Sequence, residues 1–252
     1  MLTSFASGTI FGSRHGSGRP WLVALHGWAR THSDFDGVFG ESAPNGPEDA
    51  VALDLPGFGA TPAPPVAWGS AEYAASLEPL LAEASSEWGG PLVVVGHSFG
   101  GRVAAAFAAS RPDLVRGLVL TGVPLLRREG PRPAPAAAYR VARTAHRIGL
   151  IGDARMESFR RRYGSADYRR ATGTVRESFV RLVNEDYRDV LARIDCPVEL
   201  VWGSRDDQVP VEVARRVAEM VPTAKLTECE GVGHLLPLEA PAELRAAAVR
   251  LK

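Results

Sequence analysis

Pro91-Leu92-Val93-Val94-Val95-Gly96-His97-Ser98-Phe99-Gly100-Gly101-Arg102-Val103-Ala104-Ala105-Ala106 is the stretch that decides the fold. Its first five residues form a short β-branched apolar run, the signature of a buried strand. From Gly101 onward the chain is alanine-rich and favours helix. Between the two sits G-x-S-x-G, in the strand–turn–helix context that this pentapeptide requires. So sharp a turn forces the serine into a strained backbone. Glycine two residues before and after it lets strand and helix pass closely. The Ser98 hydroxyl is thereby expected at the strand's C-terminal edge beside a helix N-terminus, where negative charge is favoured.

Outward from this turn, short apolar runs alternate with helical patterns. Strands are predicted at 21–25, 50–53, 91–95, 118–121, 198–202 and 224–227. Helices are predicted at 70–88, with Ser70 as N-cap, after Ser98, at 211–221, and from 240 to 251. This alternation implies an α/β fold, a mostly parallel sheet with helices on both faces. The rhythm breaks over residues 124–194, which hold no strand-like run. A proline-rich stretch at 130–135 opens the region and helical patterns follow. The expectation is a small helical cap inserted after the sixth strand. The remaining residues, 1–123 and 195–252, would form the core domain. From Arg127 to Arg181 there are fourteen arginines against five acids. Such a surplus fits either a solvated helical face or a surface attracting an anionic substrate or acidic partner.

The bulk numbers exclude more than they assign. A length of 252 residues suits one such domain, and 45% hydrophobic residues can fill its core. Basic and acidic residues balance at 29 each, so overall charge points to no nucleic acid and no membrane partner. No apolar run is long enough to span a bilayer. The N-terminal residues lack the basic start and apolar stretch of a signal peptide. A cytoplasmic protein is expected. Cys196 and Cys229 have no metal-like spacing and read as two reduced thiols.

A serine hydroxyl needs a base within reach, and the base needs an orienting acid. Of six histidines, His234 stands in a loop directly after the last predicted strand, in Gly231-Val232-Gly233-His234-Leu235. In a parallel sheet that loop opens on the same edge as Ser98. The acid is expected after the preceding strand, in Gly203-Ser204-Arg205-Asp206-Asp207, with Asp206 preferred and Asp207 in reserve as a helix N-terminal charge. The chain order Ser98, Asp206, His234 is that of a known triad arrangement. Two amides should face the developing oxyanion. The candidates are Phe99, next after the serine, and Trp28 in the turn His26-Gly27-Trp28, where His26 shapes the turn and is no base.

With His26-Gly27-Trp28, Asp54-Leu55-Pro56-Gly57-Phe58-Gly59, Gly96-His97-Ser98-Phe99-Gly100-Gly101, Gly203-Ser204-Arg205-Asp206 and Gly233-His234 in place, the chain resembles the α/β-hydrolase fold superfamily over nearly its whole length. The resemblance implies Ser98 as nucleophile, His234 as base, Asp206 as orienting acid, and Trp28 and Phe99 as oxyanion donors. The Asp54 turn matches a structural element of that superfamily. Departures exist too. The opening antiparallel strands must be short, around Thr9-Ile10-Phe11. Serine at the elbow argues against haloalkane dehalogenases and epoxide hydrolases, and the HGGP turn of proline iminopeptidases is missing. The HGW turn and basic cap look similar to pimeloyl-carrier-protein methyl esterases, and Gly100-Gly101-Arg102 to menaquinone-pathway lyases.

The leading expectation is a serine hydrolase of a carboxylic ester or thioester, on a small-molecule substrate that is either anionic or linked to a carrier protein. Phe159, Tyr163, Phe179 and Leu182 are candidates for the acyl pocket or for plain core. No cofactor and no metal is implied. Two alternatives stand beside this one. The first is a lyase or C–C bond hydrolase acting on a carboxylate with the same triad. The second is a non-enzymatic ligand-binding protein on the same fold.

Overall fold

The computed structural model describes residues 2–126, 137–163 and 165–252. Its eight strands are β1 (Leu2–Phe5), β2 (Ile10–His15), β3 (Leu22–Leu25), β4 (Ala50–Asp54), β5 (Leu92–His97), β6 (Val115–Thr121), β7 (Val198–Gly203) and β8 (Ala224–Cys229). They form one sheet in the order β1-β2-β4-β3-β5-β6-β7-β8. β1 and β2 are antiparallel, and β4 through β8 run parallel with β3. The short opening strands expected around Ile10 are thus a β1–β2 hairpin.

Among the described residues the helices are α1 (Asp36–Phe39), α2 (Ser70–Trp88), α3 (Phe99–Ser110), α4 (Ala137–Arg147), α5 (Asp153–Tyr163), α6 (Ala166–Arg170), α7 (Gly173–Leu182), α8 (Arg188–Leu191), α9 (Val211–Met220), α10 (Leu236–Glu239) and α11 (Pro241–Val249). Alternate strand residues feed two cores. Val23, Leu25, Val51, Leu53, Val94 and Leu118 pack towards α2, α3 and α9, whereas Leu22, Ala24, Ala50, Ala52, Val93 and Val95 pack towards α1 and α11. Burial on both faces is why these strands are apolar at every position.

Strand order fixes where chemistry can sit. From β3 the chain steps to β4 on one side, and β5 then returns to β3's other side. The crevice at such a reversal, outside the strands' C-terminal ends, is where ligands bind in open α/β sheets. The turns after β3 (His26-Gly27-Trp28) and β5 (Ser98) meet there.

Helices α4–α8 lie between β6 and β7, so the helical insertion follows the sixth strand. The proline-rich stretch at 130–135 and the basic residues Arg127, Arg128 and Arg132 fall outside the described residues. The final helix begins where expected, at Pro241 in α11, and the short α10 precedes it. A proline lacks an N–H and so suits a helix's first turn. One boundary differs from expectation. Ser70 is the first residue of α2, not its cap; Gly69 takes that place. A distant side chain supplies the missing acceptor, since the Ser70 amide donates to both Glu185 oxygens at 3.1 and 3.2 Å.

Candidate active site

Ser98 occupies the tight turn between β5 and α3 with φ +49° and ψ −110°, a strained conformation for a residue with a Cβ. Its amide donates to Thr121 O at 2.9 Å, and Gly100 N donates to His26 O at 3.0 Å, so both neighbouring strands clamp the turn. The flanking glycines are forced by contact. A Cβ on Gly96 would collide with Gly101, and one on Gly100 with the Leu25 carbonyl.

Asp206 and His234 come together from the loops after β7 and β8. His234 Nδ1 lies 2.8 Å from Asp206 Oδ2, and the two side chains are 8% and 1% exposed. The other oxygen, Asp206 Oδ1, accepts from the Gln208 and Val209 amides at 3.0 and 2.8 Å. Asp206 is thereby aimed from both ends, and the imidazole is left with Nε2 towards the cavity side. Asp207 is exposed and takes no part in this contact. The two loops are also tied to each other: Arg205 N donates to Val232 O at 2.9 Å, and Gly231 N to Ser204 Oγ at 2.9 Å.

Ser98 and His234 both line a cavity of about 200 Å³, with Trp28, Phe99, Arg102 and Phe179 among its walls. No hydrogen bond joins Ser98 Oγ to His234 here; such bonds often tighten only when substrate binds. The Trp28 and Phe99 amides have no hydrogen-bond partner among the described residues. Their rings pack edge-on at 5.2 Å. The five residues singled out from the sequence therefore meet in one crevice.

Two further histidines frame it and are held neutral. Fully buried His26 donates from Nδ1 to Gly27 O at 2.7 Å and accepts at Nε2 from Leu55 N at 3.0 Å. Burial lowers its pKa to about 4. It shapes the turn and is no base. His97 donates from Nε2 to the His234 carbonyl at 3.0 Å, and burial pushes its pKa down to about 4. Asp54 serves the neighbouring turn, accepting from His32 N, His32 Nδ1 and Ala60 N.

Sequence reasoning missed three contributors. Gly122, directly after β6, has φ +60°, and a Cβ there would lie 2.9 Å from His234 Cε1 and 3.0 Å from Nδ1. Glu239 accepts from Gly233 N at 2.7 Å and Leu235 N at 3.0 Å, bracketing His234. Arg102 donates to Leu182 O at 2.8 Å and Pro124 O at 3.2 Å, joining α3 to the insertion. Only Arg102 left a trace in the sequence, as the residue after the elbow glycines. Of the proposed pocket residues, Phe179 and Leu182 reach the cavity; Tyr163 lines a separate groove, with Phe159 stacked on it.

The model of the alpha/beta hydrolase family matches residues 22–247. The chain belongs to this family. It is 30% identical over 233 residues to a pimeloyl-[acyl-carrier protein] methyl ester esterase of Chromobacterium violaceum, covering 85% of this chain and 87% of that protein. A 2-hydroxy-6-oxononadienedioate/2-hydroxy-6-oxononatrienedioate hydrolase of Burkholderia vietnamiensis is 27% identical over 252 residues, covering 87% and 82%. Among solved structures, a thermophilic esterase from Thermogutta terrifontis superposes with a TM-score of 0.67 at 22% identity, covering 99% of this chain and 97% of that one. Among the described residues no helix is long and apolar enough to cross a membrane.

Proposed function

We propose that this α/β-hydrolase cleaves a carboxylic ester or thioester through an acyl-serine intermediate. Ser98 attacks the carbonyl carbon while His234 Nε2 takes its proton. Asp206 holds the imidazole with Nδ1–H towards itself and stabilises the imidazolium that forms. The oxyanion rests on the Phe99 and Trp28 amides. His234 returns the proton to the departing alcohol or thiol, then takes one from water, which releases the acid and restores Ser98. The observation that carries this reading is the 2.8 Å His234–Asp206 contact beside a strained Ser98 in the same cavity.

The insertion, residues 124–194, acts as a cap over this edge in the same reading. The esterase relative supports a small-molecule or carrier-linked ester as substrate. The same reading takes the enzyme as cytoplasmic, acting on neither nucleic acid nor membrane. The relatives favour a hydrolase over a non-enzymatic binding protein.

A second reading keeps the triad for C–C bond cleavage of a carboxylate substrate. It draws on the second relative and on the Arg102 guanidinium in the cavity wall.

The test is hydrolysis of p-nitrophenyl esters by the wild type, Ser98→Ala and Asp206→Asn. Asp206→Asn should lower kcat by about 10⁴-fold with the fold intact, since an amide favours the wrong tautomer. Ser98→Ala should lose at least as much. Ester hydrolysis that survives both changes would overturn the triad assignment.

A further inference from the structure

The cavity at Ser98 is small, at about 200 Å³. Sites that enclose most of an organic ligand generally measure 300–1,000 Å³. A groove of about 920 Å³ runs through the insertion, walled by Tyr139, Tyr163, Tyr168, Phe179, Val180 and Val183. Phe179 and Val183 belong to both spaces. Phe179 lies in the last turn of α7 and Val183 directly follows the helix, so one helix end forms the partition between cavity and groove.

This partition is built into the site. The Phe179 ring lies 5.0 Å from the Trp28 ring, which in turn packs on Phe99. The carbonyl of Leu182, between the two partition residues, accepts from Arg102 on the helix that follows Ser98. The ionised side chains lining the groove balance, Arg160 and Arg176 against Glu157 and Glu177. Arg176 is itself committed, donating to Glu157 at 2.7 Å and to Ala171 O at 2.7 Å. Aromatic and aliphatic walls with neutralised charges suit an uncharged chain or ring.

The geometry points to a two-chamber substrate site. The carbonyl and the groups next to it occupy the Ser98 cavity, and a long alkyl or aryl portion passes Phe179 and Val183 into the groove. Phe179 is the specificity-determining residue at the throat. This inference rests on the ester-hydrolase reading and adds the substrate class, an ester with an extended uncharged hydrophobic arm.

Val180 tests it, because it lines the groove but not the Ser98 cavity and is 44% exposed, leaving room for a larger side chain. Val180→Trp should lower the p-nitrophenyl decanoate-to-acetate ratio of kcat/KM at least tenfold. Phe179→Ala should raise the decanoate-to-acetate ratio severalfold. In Ser98→Ala protein, calorimetry should show methyl decanoate binding weakened by Val180→Trp to the same degree. Decanoate and acetate rates that change together, or methyl decanoate binding indifferent to Val180→Trp, would overturn the two-chamber site. Wild-type protein that binds methyl decanoate at Val180 yet hydrolyses neither ester would instead overturn the hydrolase reading and leave the chambers standing.

Discussion

The C-terminal edge of the sheet and the helical insertion are held together by different means. At the edge, short loops leave buried parallel strands and are tied to one another by backbone and buried side-chain hydrogen bonds: Ser98 N to Thr121 O, Arg205 N to Val232 O, His234 Nδ1 to Asp206 Oδ2. The insertion buries Leu182, Tyr187, Leu191 and Ile194 in the core on the α2 and α3 side, and adds scattered polar contacts on α7 and the residues just after it. Thr174 Oγ1 donates to Pro64 O, Ser178 Oγ accepts from Trp68 N, Arg181 pairs with Glu72, and Glu185 caps α2. Farther out, Val141, Ile148 and Leu150 are 68%, 61% and 73% exposed. In the proposed function the contrast separates two jobs. Reacting groups need placement to fractions of an ångström, which buried strands supply. A substrate pocket needs shape, and helices joined by adjustable side chains can vary it without disturbing the edge.

Gly122→Ala breaks the contrast most sharply, because it disturbs the edge alone. The new Cβ would press on the His234 ring, and φ +60° adds backbone strain. A displaced imidazole should lower kcat by about 100-fold, with the insertion's contacts and substrate selectivity unchanged. Steady-state kinetics against p-nitrophenyl acetate and decanoate check this; an unchanged kcat would mean the ring tolerates movement.

The edge also carries a pH signature. His26 and His97 are neutral when folded, with pKa near 4, because burial disfavours the charged form. In the unfolded chain each would titrate near 6.5, so the unfolded state binds more protons between about pH 6.5 and 4. Their contribution is therefore fully present above pH 6.5 and lost as pH falls through that window. His15, also lowered by burial, acts in the same sense. Urea unfolding at pH 7 and pH 5 should differ by about 2–4 kcal/mol, and His97→Asn should roughly halve the slope. Stability that is flat over this range would refute the neutral assignment.

The smallest expected effects compare anchors of the insertion. Arg181 and Glu72 are both solvent-exposed, so Arg181→Ala should cost less than about 1 kcal/mol. Glu185→Ala strips the acceptor from the α2 N-terminus and should cost about 1–2 kcal/mol. Thermal unfolding of the two variants decides whether the cap or the surface charge pair is the stronger tether; equal losses would erase the distinction.

The same contrast governs how much was legible beforehand. Strand-forming runs, the elbow and the loops carrying Asp206 and His234 could all be read, because each follows from local pattern plus the rule that parallel strands open on one edge. The choice of Asp206 over Asp207 rested on position, and the structure pairs Asp206 with His234. Glu185 as the cap of α2 was invisible, since the acceptor lies 115 residues away. Gly122 and Glu239 were equally silent; one glycine or one glutamate carries no signal until its neighbours are known. Within the insertion, composition fitted either a solvated helical face or a surface attracting an anionic partner. Arg160, Arg161 and Arg176 gather on Glu157, and Arg181 reaches Glu72. Arginine count alone could not reveal partners set by tertiary packing.

The proposed mechanism requires Ser98 to form an acyl-enzyme. Stopped-flow release of p-nitrophenol from p-nitrophenyl butyrate tests it most directly, with the acylated serine located by mass spectrometry. A burst of one equivalent per chain is expected, with the adduct on Ser98, absent in Ser98→Ala. Turnover that proceeds without any acyl adduct on Ser98 would contradict it.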